Sequence, residues 1–269
     1  MRTERVRVAN LTLLLIGLAG LTSLLSGAAL WLGFLIVGAA AAFGAFQLLG
    51  DVDPRGVPIE SLTTPVVAAM ATAGLAHLSG ANAAMVLVLA GGGLLLAATL
   101  VLETWLMGPA DEMHARRERQ LAPLVVLLAF LGFAGAAASV VAGLAVPQHP
   151  GLGQTAAIDA GSMLLLAVAD GAVAFLLGYR LAATRAPDLI EAAWAAGTFA
   201  VVVGVAATLL RALALPLLLG PAVLAGVFYL WSAYRAAPGG ERRSASWLWE
   251  YLVLLAALVG AVAWNLLLR

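Results

Sequence analysis

A single acid interrupts the apolar stretch LLLAVADGAVAFLLGYR, Leu164 to Arg180, and Asp170 is the first residue to ask chemistry of. A charged side chain at the centre of a bilayer costs about 3 kcal/mol on insertion scales, so an acid there must be neutralised or put to use. Two uses fit: a proton or cation site on a transport pathway, or a neutral carboxyl that hydrogen-bonds a neighbouring helix and holds it in register. Ala167 and Ala174 share the helical face of Asp170, at i−3 and i+4, and Gly171 and Gly178 continue a strip of small residues beside it. Small residues let helices approach closely in lipid, so this face is expected against protein or a cavity, and burial, which disfavours the charged form, is expected to keep the acid protonated.

Other polar residues cluster by level. Glu103, Glu191 and Glu250 each fall near the same end of an apolar segment, where Tyr179, Arg180, Tyr234 and Arg235 also lie. They are candidates to line a polar vestibule leading toward Asp170, or to reach individually for the headgroups. Asp159 and Arg211 stand at similar depth near the opposite end and suggest a structural ion pair. Gly91, Gly92 and Gly93 sit in mid-segment, each forfeiting about 1 kcal/mol of helix propensity. Discontinuous transporter helices use such weak points, and close helix packing uses them as well.

A third pattern is acidic. Asp51 and Asp53 in LGDVDPRGVPIES, with Asp188 and Glu191 in APDLIEAAW, would place paired carboxylates on two loops of one side, a donor set suited to Mg²⁺ and a diphosphate. In span number and loop placement this resembles the membrane-embedded aromatic prenyltransferases, which would imply a Mg²⁺-dependent enzyme acting on lipid or isoprenoid diphosphates. The family's NxxxDxxxD and DxxxD are not matched. EAAWAAG, Glu191 to Gly197, is similar to the EAAxxxG signature of binding-protein-dependent ABC permeases, but the continuation toward Leu-Pro is missing because Pro216 comes too late.

Composition removes several alternatives. Cysteine is absent, and so are disulfides, thiolate nucleophiles and thiolate metal sites. All 14 basic residues are Arg, which leaves no lysine amine for a retinal or pyridoxal Schiff base. His77, His114 and His149 are scattered over segment ends and loops, so no intramembrane pair is set up for haem or zinc, and no cofactor is called for. His114 and Glu118 are spaced i, i+4 in DEMHARRERQ, whose arginines already have a topological explanation. Neither a GxSxG elbow nor a phosphate-binding loop is present. Formal net charge is zero, which offers nucleic acid nothing.

The elements that must position these residues are membrane spans. Of 269 residues, 63% are hydrophobic and 10% charged, against about 25% charged in soluble domains. A span needs about 20 apolar residues, and nine segments qualify: Ala9–Ser26, Ala28–Leu49, Leu62–Leu78, Asn82–Met107, Leu121–Val146, Ala157–Tyr179, Leu189–Leu210, Leu213–Tyr234 and Trp247–Leu268. The count falls to eight if one of the seventh and eighth, which share a long stretch broken by Arg211, Pro216 and Pro221, is re-entrant; a tight turn is expected there. The N-terminal arginines and apolar run mimic a signal peptide, but the run continues into a second segment that needs a partner, so a retained first span is expected. GYRLAATRAPDLIEAAW and AYRAAPGGERRSASWLWEY are faintly alike and raise a structural repeat, although Tyr and Arg favour interfaces in any membrane protein.

The reading is an all-α, polytopic bundle forming one domain, residues 1–269. It is expected in the cell (inner) membrane, surrounded by lipid, and to act as a small permease or membrane subunit on a small solute or ion, alone, as a homo-oligomer or beside another membrane protein. A Mg²⁺-dependent enzyme and a purely structural subunit are the alternatives. Arg2, Arg5, Arg7, Arg55, Arg116, Arg117, Arg119, Arg180, Arg185, Arg235, Arg242 and Arg243 all fall on one side under nine spans, which predicts a cytoplasmic N-terminus. Reporter fusions after Met113, Gln148 and Ala237 should therefore read inside, outside and inside; a cytoplasmic signal at Gln148 would overturn the topology.

Overall fold

A computed structural model of the chain describes residues 2–51, 56–107, 114–144, 160–186, 188–213, 215–216, 218–237 and 245–267. Nine helices make up these residues: α1 Arg2–Ser23, α2 Gly27–Gly50, α3 Glu60–Ser79, α4 Ala83–Leu106, α5 His114–Leu144, α6 Ala160–Ala183, α7 Leu189–Ala212, α8 Leu219–Ala236 and α9 Ala245–Leu267. Eight are long and apolar enough to cross a membrane; the exception is α8, with 18 residues. The fold is a polytopic α-helical membrane bundle. Most boundaries fall within a few residues of the apolar segments, longer at some ends and shorter at others, because a helix ends where its backbone finds a cap and not where hydropathy falls. Asn82 and Asp188, for instance, cap α4 and α7 by accepting from the amides of Ala84 and Glu191. α5 reaches back through the arginine cluster to His114, and α8 starts only at Leu219, after the Pro216 carbonyl has accepted from the Leu219 amide.

One end of the bundle collects the start of α1, the end of α2 and the junction of α6 and α7. Arg7 pairs with Asp51 there, and Arg185, Glu191 and Arg235 line a recess of about 160 Å³. We call this the Arg-rich end. At the far end the Ser23 carbonyl lies 2.8 Å from His77 Nδ1, joining the ends of α1 and α3.

The packing is inverted relative to a soluble protein. α3 is the least apolar of the eight candidate spans, with a mean hydropathy of 1.3, and the most buried; α4 is the most apolar, at 2.5, and has only 22% of its span buried. The central helix is built of small residues: Ser61, Thr63, Thr64, Ala68, Ala69, Thr72, Ala73 and Ala76 of α3 are all buried, with larger side chains such as Leu100, Leu128 and Phe133 of its neighbours around them. The outside takes Leu35, Phe43, Leu94, Leu164, Ile190, Trp194 and Leu209, all exposed. Lipid tails are as apolar as leucine, so burying leucine gains little here, and helices associate through close backbone contact and hydrogen bonds.

The closest approach of backbone to backbone is between α3 and α5. A Cβ placed on Gly74 would stand 2.4 Å from the Gly135 carbonyl oxygen, and one on Gly135 would stand 2.9 Å from that of Ala71. A similar contact brings α4 onto α3, where a Cβ on Gly92 would lie 2.3 Å from the Thr72 side chain. α4 runs unbroken through Gly91, Gly92 and Gly93, and this corrects the reading of the triplet as a helix break: Gly92 serves close approach, Gly93 faces Ile16, and Gly91 meets nothing within 4 Å. The backbone at Gly135 cannot move aside as a side chain can. Gly74→Ala should therefore lower the melting temperature of the detergent-purified protein most, Gly92→Ala less, by an overpacking cost of about 1–3 kcal/mol. Gly91→Ala should be neutral or stabilising, by up to about 1 kcal/mol. Equal effects at positions 74 and 91 would contradict the packing.

Candidate functional site

Asp170 and Arg211 meet inside the bundle. Ala160–Ala183 and Leu189–Ala212 are joined by a short loop, so α6 and α7 run antiparallel. Their interface is built on the expected small residues: Gly171 backs onto the Ala200 carbonyl, Gly204 onto that of Ala167, and the Phe199 ring lies over Gly178. Asp170 lies about 15 Å along α6 from its start, at 1.5 Å per residue, and is fully buried. Arg211 is in the last turn of α7, at the far end, and is also buried.

Side chains on a helix lean toward its N-terminus. On α7 that lean carries Arg211 from the far end back toward mid-helix. On the antiparallel α6 it carries Asp170 the other way. The two therefore approach, and Arg211 Nη2 lies 3.4 Å from Asp170 Oδ2. The pairing is incomplete: Asp170 Oδ1 and Arg211 Nε are buried and have no hydrogen-bond partner among the described residues. Arg211 thus pairs with Asp170, so the buried acid has a guanidinium beside it; the expected pairing of Arg211 with Asp159 falls on a residue outside the described ones.

A second buried pair gives the standard of comparison. Glu103, at the end of α4, accepts from Arg180 of α6 through both oxygens, at 2.9 Å from Nε and 2.7 Å from Nη2. Thr64 of α3 donates to the same carboxylate at 2.7 Å. This is a bidentate, charge-assisted clamp with the carboxylate fully used, joining α3, α4 and α6. Glu103 is thus sealed into the interior and lines no vestibule. Glu191 is exposed in the recess with Arg185 and Arg235, and Glu250 is exposed on α9, so the three glutamates are not brought together. Nor do the two Tyr-Arg edges behave alike: Arg180 is buried in the clamp, whereas Arg235 is exposed.

The acids proposed for Mg²⁺ are engaged elsewhere. Asp51 pairs with Arg7, Asp188 caps α7, and Asp53 lies outside the described residues. Among the described residues, no three His, Asp or Glu side chains gather as a metal would require. Two further hollows are present. One, of about 620 Å³, adjoins Arg7, Asn10, Gln47 and Asp51 at the Arg-rich end. The other, of about 320 Å³, is an apolar groove between α2, α3, α5 and α6 that passes Ala169, Ala172 and Val173 and is not lined by Asp170.

Fold and site together define a multi-pass helical membrane protein with two intramembrane ion pairs. Comparison with family models, with curated proteins and with solved structures finds no match, so the functional argument rests on the residues themselves. Sequence reasoning singled out Asp170 and placed Glu103 and Arg180 at one level. It missed both pairings, for which the antiparallel lean of α6 and α7 was the available signal in the first case. Breaking a buried pair by removing one partner costs about 3–5 kcal/mol. Glu103→Gln and Arg180→Gln should each destabilise the detergent-purified protein by about that much, and the double variant by clearly less than their sum; full additivity would show that the two groups are uncoupled.

Proposed function

We propose that this protein is a small permease-type protein of the cell membrane, with its Arg-rich end in the cytoplasm, in which Asp170 takes up and releases a proton as a small solute passes. One observation carries the reading: two buried ion pairs share α6, and only one of them is satisfied. The Glu103–Arg180 clamp uses both carboxylate oxygens and a threonine hydroxyl. Asp170–Arg211 is held at a single 3.4 Å point and leaves polar atoms on both partners without hydrogen bonds among the described residues.

Buried polar atoms are normally paired, and an exception calls for a reason. A pair serving only to tie α6 to α7 would gain from closing to bidentate geometry, as its neighbour does. A pair that must open gains from staying loose, because the barrier to separating its charges is lower. Charged groups inside membrane segments mark ion and proton pathways by default. Around Asp170 the seam between α6 and α7 is made of small residues, with Gly171 and Gly204 facing backbone carbonyls, so little side-chain bulk opposes a local opening of the pair, while the Phe199 ring over Gly178 holds the seam nearer the Arg-rich end.

Asp170→Asn keeps the shape and hydrogen-bonding capacity of the acid and cannot release a proton. In vesicles reconstituted with the purified protein and loaded with a pH-sensitive dye, the wild type should change internal pH when gradients of inorganic ions, amino acids or sugars are imposed one at a time. Asp170→Asn should cut that response at least tenfold while its melting temperature stays within a few degrees of wild type. A variant as active as wild type, or a wild type silent to every gradient, would reduce the pair to a structural tie.

A further inference from the structure

Resting on the reading of Asp170 as a proton site, we infer that the solute it serves is a monovalent planar oxyanion, of the carboxylate or nitrate type, which binds Arg211 from the far end of the bundle in place of Asp170. Charge conservation is the first ground. Among the described residues the site holds one carboxylate and one guanidinium and is neutral. A second cation would lie against Arg211 in a region where unbalanced charge is costly, and a neutral solute would have to compete with an ion pair. An anion arriving together with one proton keeps the site neutral throughout: the proton goes to the Asp170 carboxylate, Arg211 keeps its charge, and the anion takes the place of the carboxylate.

Geometry is the second ground. Arg180 presents its Nε and Nη2 to Glu103 and holds both carboxylate oxygens. Arg211 is engaged by Asp170 only through Nη2, and Nε, the other donor of that edge, lacks a partner among the described residues. That edge matches two oxygens of a planar anion, as it does in the clamp. Position is the third. The guanidinium is buried, but Arg211 is in the last turn of α7 and its Nη1 stands beside Gly220 in the first turn of α8, 3.4 Å from where a Cβ would be, so the shorter way to it is from the far end and not through the length of the bundle.

Among the described residues, no other ionic group competes for the role. Of the helices packed on α6, α5 has none between Leu121 and Ser139, and α8 offers Tyr229, Tyr234 and Arg235, all exposed. α3 has Glu60 at its first residue and His77 at the far end, the latter against the Ser23 carbonyl. α7 adds only the exposed Glu191 at the opposite end, and Arg180 of α6 itself is held by Glu103.

The test is nitrate binding by the full-length protein in detergent, read as the rise in melting temperature with nitrate concentration between pH 5 and 8. Wild type should bind nitrate with an apparent Kd that weakens about tenfold per pH unit once Asp170 must gain a proton to release Arg211. Asp170→Asn should bind nitrate at every pH without that dependence, since Arg211 is no longer occupied. Arg211→Gln should not bind; should it fail to fold, the pH-independent binding expected of Asp170→Asn still decides. Nitrate binding that is equal in Arg211→Gln and wild type, or absent from Asp170→Asn, overturns the inference. A companion measurement separates the two proposals: if imposed sodium or sugar gradients move protons through the vesicle-reconstituted wild type and nitrate gradients do not, the oxyanion is wrong and the proton site stands. If no gradient moves protons, both fall.

Discussion

Hydrocarbon offers a buried charge nothing, so every charge inside the bundle must be answered by another part of the chain, and the helix that carries two such charges fixes where its neighbours stand. That helix is α6. Asp170 and Arg180 lie on it with opposite signs, about 15 Å apart at 1.5 Å per residue, one turned to α7 and the other to α4 and Thr64 of α3. Sliding α6 by one turn relative to either partner would strand a charge in each direction. The two pairs therefore set the vertical register of the bundle, which apolar contacts between featureless leucine surfaces cannot set.

Lateral organisation comes from a different source. The interior is made of small and hydroxyl-bearing residues on α3, approached by α5 through Gly74 and Gly135 and by α4 through Gly92. The hydroxyls do not leave their acceptors unused: Thr72 donates to the Ala68 carbonyl and Ser139 to that of Gly135, one turn back along their own helices. An interior of this kind is polar by composition and satisfied by local bonding, which is why the most buried span is also the least apolar. Large apolar residues fill the core around it, as Leu96, Leu128 and Phe133 do, and also cover the surface that faces lipid.

This inversion explains what could be read from the sequence. The nine segments were legible because length and hydropathy are one-dimensional properties, and Asp170 was legible because an acid among apolar residues is conspicuous wherever the chain folds. Its partner was not, since Arg211 stands at a helix end, where the default for an arginine is to reach outward to the headgroups. Its inward turn depends on which way α7 runs beside α6, a fact of assembly. Gly91, Gly92 and Gly93 read alike in sequence, yet one touches Thr72, one faces Ile16 and one meets nothing, because neighbouring positions on a helix point about 100° apart. The acids Asp51 and Asp188 looked like loop residues free to bind a metal; the first is taken by an arginine of α1 and the second by the backbone of its own helix.

α8 and α9 extend the same physics to the last two helices. α8 is the one helix not long and apolar enough to qualify as a span, whereas α9 qualifies and has none of its apolar stretch buried, touching the bundle where Leu258 lies over Gly226 of α8. A segment that partitions poorly into lipid gains most from a neighbour that partitions well. Packed on α8 through Leu258 and Gly226, α9 lends its neighbour an apolar surface toward lipid that α8 lacks in its own sequence. α9 thereby serves the solvation of α8 more than the packing of the core.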